Sequence, residues 1–177
     1  MAARVLGIDL GAKGAVAVLS ESGELLEVFD MPSLLEANGR HATNAPLLSE
    51  IIAHAGAERI YAEFVSARPT DAKVAAFAFG RARGVLEGIA AAFDLPIVWV
   101  TPPTWKRFAG VPPGKENKDV ARSRAVARWP RHALLFARKQ DIDRAEAALI
   151  GAAGLARDDG ETPGGRRGEV GRGLQPQ

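Results

Sequence analysis

"VLGIDLGAKGAVAVLSESG", residues 5–23, sets a single carboxylate, Asp9, among apolar neighbours and follows it with Gly11 and Gly14. Residues 3–9 have the unbroken apolar character of a buried strand, and GAVAVLS (14–20) that of a second. ESG forms a tight turn into ELLEVFD (24–30), whose imperfect alternation predicts a third strand. Connections this short predict an antiparallel meander. A carboxylate at the end of a strand aimed at the core then needs a reason, and further acids along the chain supply one.

Residues 42–55 have helical spacing, with Asn44 as N-cap and Pro46 in the first turn. ERIYAEFV (58–65) reads as a fourth strand, rich in bulky and branched residues. Residues 70–93 predict a long helix opening on Thr70, and PIVWVT (96–101) a fifth strand. A proline-punctuated stretch, TPPTWKRFAGVPPGKENK, leads to a basic helix near 116–129, and 141–157 form a final amphipathic helix. Beyond Asp158 the chain turns to Gly, Arg and Pro, which predicts a domain over 1–157 and a disordered tail over 158–177. The expected fold class is α/β: a mixed five-stranded sheet with helices on its faces.

The chain has 177 residues, 47% of them hydrophobic, and can bury a substantial core. With no cysteine, disulfides, thiolate zinc sites and cysteine nucleophiles are excluded. No apolar run reaches membrane-spanning length, and MAARVLG lacks the layout of a signal peptide, so a cytoplasmic location is expected. The net charge of +2 hides a basic block: residues 101–140 carry 10 Lys/Arg against 2 Asp/Glu. Such a block suits either a solvated face or a track for an anionic polymer.

Glu63, in YAEFV, occupies the end of the fourth strand that corresponds to Asp9 on the first. If these strands are parallel neighbours, the two carboxylates stand side by side. Asp143 and Glu146, spaced i and i+3, share one face of the last helix. Taken singly, each acid also fits a turn, a sheet edge or the acidic first turn of a helix, the role expected of Asp141. Together, four such groups repel and call for divalent cations. Hard oxygen donors favour Mg²⁺ or Mn²⁺. Two ions about 4 Å apart activate water and stabilise the leaving oxygen of a phosphodiester.

In order along residues 4–156, these segments resemble the RuvC-type Holliday-junction resolvases of the RNase H-like superfamily, in a divergent or phage-type form. GIDLG with Asp9 resembles the first-strand motif, and YAEFV supplies the second acid, Glu63. GRARG (80–84), TPPTWKRFAGVPPGKENKDV (101–120) and DIDRAEAALIG (141–151) resemble the family's long helix, lysine-bearing stretch and closing helix. The resemblance implies an RNase H-like sheet and metal-dependent cleavage of four-way DNA junctions by a homodimer. It implies that Asp9, Glu63, Asp143 and Glu146 hold two Mg²⁺, with Mn²⁺ substituting, and that Lys106 and Lys118 lie near the scissile strand. Lys118 is counted with the catalytic set. The cations expected on DNA are Lys13, Arg68, Arg81, Arg83, Lys106, Arg107, Lys115, Lys118, Arg122 and Arg124.

Two departures stand out. The family's final pair is often two Asp, whereas position 146 is Glu, one methylene longer. The family also places a junction-wedging aromatic a few residues beyond the strand-four acid; here Phe64 follows Glu63 at once, and alternation sends it to the opposite face, into the core. Gly80, Gly84 and Gly88 line one stripe of the long helix, for close packing either on the sheet or on a symmetry mate. Trp99 is expected in the core, Trp105 in the core or against nucleic acid, and the histidines at 41, 54 and 132 have no metal-site spacing. Competing functions are a sugar-kinase or actin-like ATPase, which needs two such domains around a nucleotide, an RNase H acting on hybrids or other branched substrates, and a catalytically silent nucleic-acid-binding scaffold.

Overall fold

The computed structural model describes residues 3–11, 13–37, 39–64, 66, 72–114 and 117–160, the Lys118 side chain excepted. Arg68, Thr70, Lys115 and the tail over 161–177 lie outside the described residues. As the short turns require, β1 (Arg4–Asp9), β2 (Ala15–Ser20) and β3 (Leu25–Asp30) pair antiparallel. An unanticipated hairpin follows, β4 (Ser33–Leu35) with β5 (His41–Thr43), whose strands are too short to show a period of two. Helix α1 (Ala45–Ala55) begins where expected, with Asn44 Oδ1 accepting the Leu47 amide at 3.3 Å.

β6 (Arg59–Glu63) lies parallel to β1, and after α2 (Lys73–Ala92), β7 (Ile97–Val100) lies parallel to β6. The sheet order is β3-β2-β1-β6-β7. The proline-punctuated stretch is a helix, α3 (Pro102–Ala109), which the sequence did not announce. Its prolines fall at the first helical positions, where amides have no intrahelical acceptor to lose, and left-handed Gly110 ends it. α4 (Lys118–Arg128), two 3₁₀ segments (Pro130–Phe136 and Lys139–Asp141) and α5 (Ile142–Asp158) complete the chain.

Strand alternation divides the core into two layers. Val5, Ala17, Leu19 and Tyr61 pack with Trp105 of α3, Ala121 of α4 and the whole of α5, whereas Leu6, Ile8, Val18 and Ile60 face Leu48 and Ile52 of α1 and Leu86 of α2. Helices therefore cover both faces, as expected. α5 is buried nearly all round, and its run of Ala and Gly lets it lie almost on the sheet backbone. A Cβ on Gly7 of β1 would stand 2.2 Å from the Ala147 carbonyl oxygen and 2.7 Å from the Gly151 amide nitrogen. This contact sets how far the first turn of α5 stands above the end of β1.

Gly80, Gly84 and Gly88 do not pack on the sheet. A Cβ built at any of them meets nothing within 4 Å, and the buried face of α2 is Ala82, Leu86 and Ala90. The glycine stripe faces outward. Among the described residues, no helix is long and apolar enough to cross a membrane.

Candidate metal centre

The parallel pairing of β1 with β6 sets Ile8 opposite Ala62, so Asp9 and Glu63 end adjacent strands on the face that α5 covers. Just beyond Asp9 the chain turns sharply: the Gly11 amide donates to the Asp9 carbonyl at 3.1 Å and the Gly14 amide to the Gly11 carbonyl at 2.9 Å. A Cβ on Gly14 would lie 2.0 Å from the Asp9 carbonyl oxygen, so the turn that presents Asp9 needs a glycine there. Above it, the first turn of α5 brings in Asp143 and Glu146. Carboxylate oxygens of Asp9, Asp143 and Glu146 all lie within 4.8 Å of one another, each side chain half-buried.

The donor set fits a hard divalent cation. It is all carboxylate, without thiolate or imidazole, and oxygens sharing one Mg²⁺ at roughly 2.1 Å would stand no more than about 4.2 Å apart, near the 4.8 Å limit of this group. Glu63 stands outside this three-membered group, and its Oε1 accepts the indole N–H of Trp105 at 2.8 Å. Trp105 is fully buried, which decides between the two readings in favour of the core: it fixes Glu63 from below. Sequence reasoning missed this partner because 42 residues separate the two and only the β6–β7–α3 arrangement joins them.

The entry to α5 is held by an ionic network. Asp141, 1% exposed, does not cap α5 with its side chain but turns back to Arg138, taking the backbone amide and guanidinium Nη2, each at 2.8 Å. Burial alone raises the Asp141 pKa, but the Arg138 hydrogen bonds and charge outweigh it and hold the carboxyl below the usual range. Arg144 forms a two-point pair with Asp30 at the end of β3, Nε to Oδ1 and Nη2 to Oδ2, both at 2.6 Å. That hydrogen bonding keeps the Asp30 carboxyl below its ordinary pKa.

The expected DNA-facing cations fall into two groups. Lys13 is exposed in the turn after Asp9, Arg107 is exposed on α3, and Lys106 lies 5.3 Å from the Trp105 ring. Arg107 and Lys106 border a cavity of about 520 Å³ that Phe64, Ser66 and Val111 also line. Exposed Arg124 donates to the Gly110 carbonyl at 3.3 Å. The second group has internal partners. Arg122 donates to the Phe136 and Ala137 carbonyls at 3.1 and 2.9 Å and to Asp119, tying α4 to the following segment. Arg81 pairs with Glu36. Arg83 pairs with Glu87 at 2.8 Å and stacks on Trp99 at 4.4 Å and Phe64 at 5.3 Å. Phe64 does point to the opposite face from Glu63, but it is 36% exposed rather than core: β6 ends just before it, and its ring meets Trp99 edge-on with Arg83 beside it. Trp99 is itself only partly buried. Arg68 and Lys115, and the side chain of Lys118, lie outside the described residues.

No protein-family model matches the chain, and no curated protein is significantly similar to it in sequence. Solved structures do match. T. thermophilus RuvC in complex with Holliday junction substrate superposes with a TM-score of 0.63 over 89% of this chain and 97% of that one, at 17% identity. The fold is that of RuvC. A second Thermus thermophilus RuvC structure gives 0.59 over the same shares at 18% identity. The yeast mitochondrial Holliday junction resolvase Ydc2 gives 0.57 over 87% of this chain and 79% of that one, at 14% identity. At such identities the RuvC fold is common ground, and what the chain does rests on its own site residues.

Proposed function

We propose that the chain is a divalent-metal-dependent endonuclease that resolves four-way DNA junctions by paired, symmetric nicks. The observation that carries this is the carboxylate cluster of Asp9, Asp143 and Glu146 at the end of β1 in a RuvC fold. Asp9, Asp143 and Glu146 would hold the cation, Mg²⁺ or Mn²⁺, with Glu63, steadied by Trp105, as the fourth ligand where a second ion binds. Metal bound there supplies an activated water and neutralises charge on the leaving oxygen of a phosphodiester. Lys118 is assigned to the scissile phosphate. Lys13, Lys106, Arg107 and Arg124 are assigned to the DNA backbone on either side of the acids, with a DNA-associated, cytoplasmic setting to match.

Labelled four-way, flap, fork, duplex and RNA–DNA hybrid substrates, each with Mg²⁺ or Mn²⁺, test this directly. Preferential symmetric nicking of the four-way junction is expected. Preferential cutting of the hybrid would make the protein an RNase H, and binding without any cutting would make it a silent scaffold.

Backbone contacts release counterions, so junction affinity should fall steeply with salt, by about 0.9 log units per neutralised phosphate for each log unit of salt. Arg107→Glu with Arg124→Glu should lower that slope by about 2, since both residues are exposed and Arg124 makes a single bond to one carbonyl. Arg122→Glu is the wrong probe, because its loss breaks the tie between α4 and Phe136. An unaltered slope in the double variant would assign these residues to a solvated face.

A two-fold junction cut on opposed strands matches a two-fold dimer. The outward stripe of Gly80, Gly84 and Gly88 offers α2 a surface for close approach to its symmetry mate. Gly84→Leu, with open space around the new side chain within the chain, is expected to retain the fold while sedimentation moves from dimer to monomer and paired nicking is lost. A wild-type protein that remains monomeric on the junction would refute the dimer.

A further inference from the structure

We propose that Arg144 is a positioning residue for the carboxylate cluster: clamped to Asp30 at the end of β3, it fixes the orientation in which the first turn of α5 presents Asp143 and Glu146 to Asp9. This rests on the metal centre proposed above. The sheet register aligns the parts, with Asp9 opposite Ala15 and Ala15 opposite Asp30. Asp30 and Asp9 thus end one row, two strand spacings or about 10 Å apart, on the same face. Successive helical residues differ by about 100°, so Asp143 and Glu146 lie within about 60° of each other while Arg144 diverges from both. The first turn of α5 therefore straddles the row, its acids against β1 and its guanidinium on β3.

Packing on the sheet holds α5 from Ala147 onward, and Arg144 anchors its first turn from the β3 side. Two turns along, Gly151 rests on Gly7 so closely that a Cβ on Gly151 would be 3.1 Å from the Gly7 Cα. At the near end, buried Asp141 is held by Arg138 and lies 3.7 Å from Arg144 Nη1. From Ala147 to Gly154 the helix is locked by close buried contacts with β1, β2 and β6, whereas its first turn, between that packed stretch and the 3₁₀ segment, carries half-buried Asp143, Arg144 and Glu146. The two-point Arg144–Asp30 pair, at 2.6 Å for each bond, holds that first turn in one orientation as a single-point lysine contact would not. With the Asp30 side chain 68% exposed, the pair contributes little to global stability.

The sign of one measurement separates positioning from mere charge. Arg144 is a cation beside two acids that bind a cation. If it acted only through its charge, Arg144→Gln would make the site more negative and tighten metal binding. If it positions the acids, the same change weakens binding, by about tenfold, as is typical when a residue that orients metal ligands is lost. The experiment is calorimetric titration of the full-length protein with Mn²⁺ alone, beside thermal melting of each variant. Arg144→Gln and Asp30→Asn should each weaken Mn²⁺ about tenfold with little change in melting, the double variant should be no worse than either, and Arg144→Lys should recover part of the loss. Unchanged or tighter Mn²⁺ binding in Arg144→Gln overturns the inference. Should that variant fail to fold, Asp30→Asn decides, and unchanged binding there overturns it equally. A wild-type protein that binds no Mn²⁺ would instead remove the metal centre itself.

Discussion

Asp9→Asn is expected to lower junction nicking in Mg²⁺ by about a hundred- to a thousandfold, the scale of deleting one group from an electrostatically organised site, while junction affinity stays within about twofold of wild type. The amide keeps the size and shape of the carboxylate, so the turn through Gly11 and Gly14 is undisturbed. What it loses is the charge that, with Asp143 and Glu146, makes three oxygens within 4.8 Å the proposed cation site. In the proposed function, affinity for the DNA backbone rests on the basic side chains instead, and these the substitution leaves alone. Single-turnover nicking beside equilibrium binding separates the two effects. Near-wild-type cleavage by Asp9→Asn would exclude Asp9 from catalysis, and a parallel loss of binding would give it a structural role.

Gly7→Ala is expected to destabilise the protein by about 3 kcal/mol, near the top of the usual range for overpacking. For a chain of this length that lowers the melting temperature by about 6–12 °C. The added methyl would meet the Ala147 carbonyl oxygen at 2.2 Å and the Gly151 amide nitrogen at 2.7 Å, both backbone atoms of the central helix that no rotamer change moves aside. To relieve the clash α5 must lift, and Asp143 and Glu146 lift with it, so nicking should fall in the folded fraction as well. The same substitution at Gly84 should stabilise the single subunit by about 1 kcal/mol, because a helical glycine with open space around it within the chain gains the helix propensity of alanine. Equal melting temperatures for the two variants would contradict the close contact of β1 with α5.

The larger elements were legible from the chain because their causes are local. Short turns after apolar runs dictated the β1–β2–β3 meander, Asn44 and Pro46 marked the start of α1, and the i, i+3 spacing put Asp143 and Glu146 on one helical face. Asp9 and Glu63 were readable as candidates for a similar reason: a charge at the end of an apolar strand is costly unless something meets it. What the chain left open depends on which distant segments touch. Helix α3 hid behind prolines that only its first-turn position makes acceptable, and Trp105 gained its role only once α3 lay beneath Glu63. Phe64 passed for core because alternation gives the face of a residue but not whether another element covers it. Gly7 and Gly84 are alike in sequence; the first must be glycine because a helix backbone rests on it, whereas nothing within the described residues requires glycine at the second. Local chemistry named the elements and the acids, whereas the approach of α5 to the sheet, a contact between residues some 140 positions apart, decided which acids meet and how they are held.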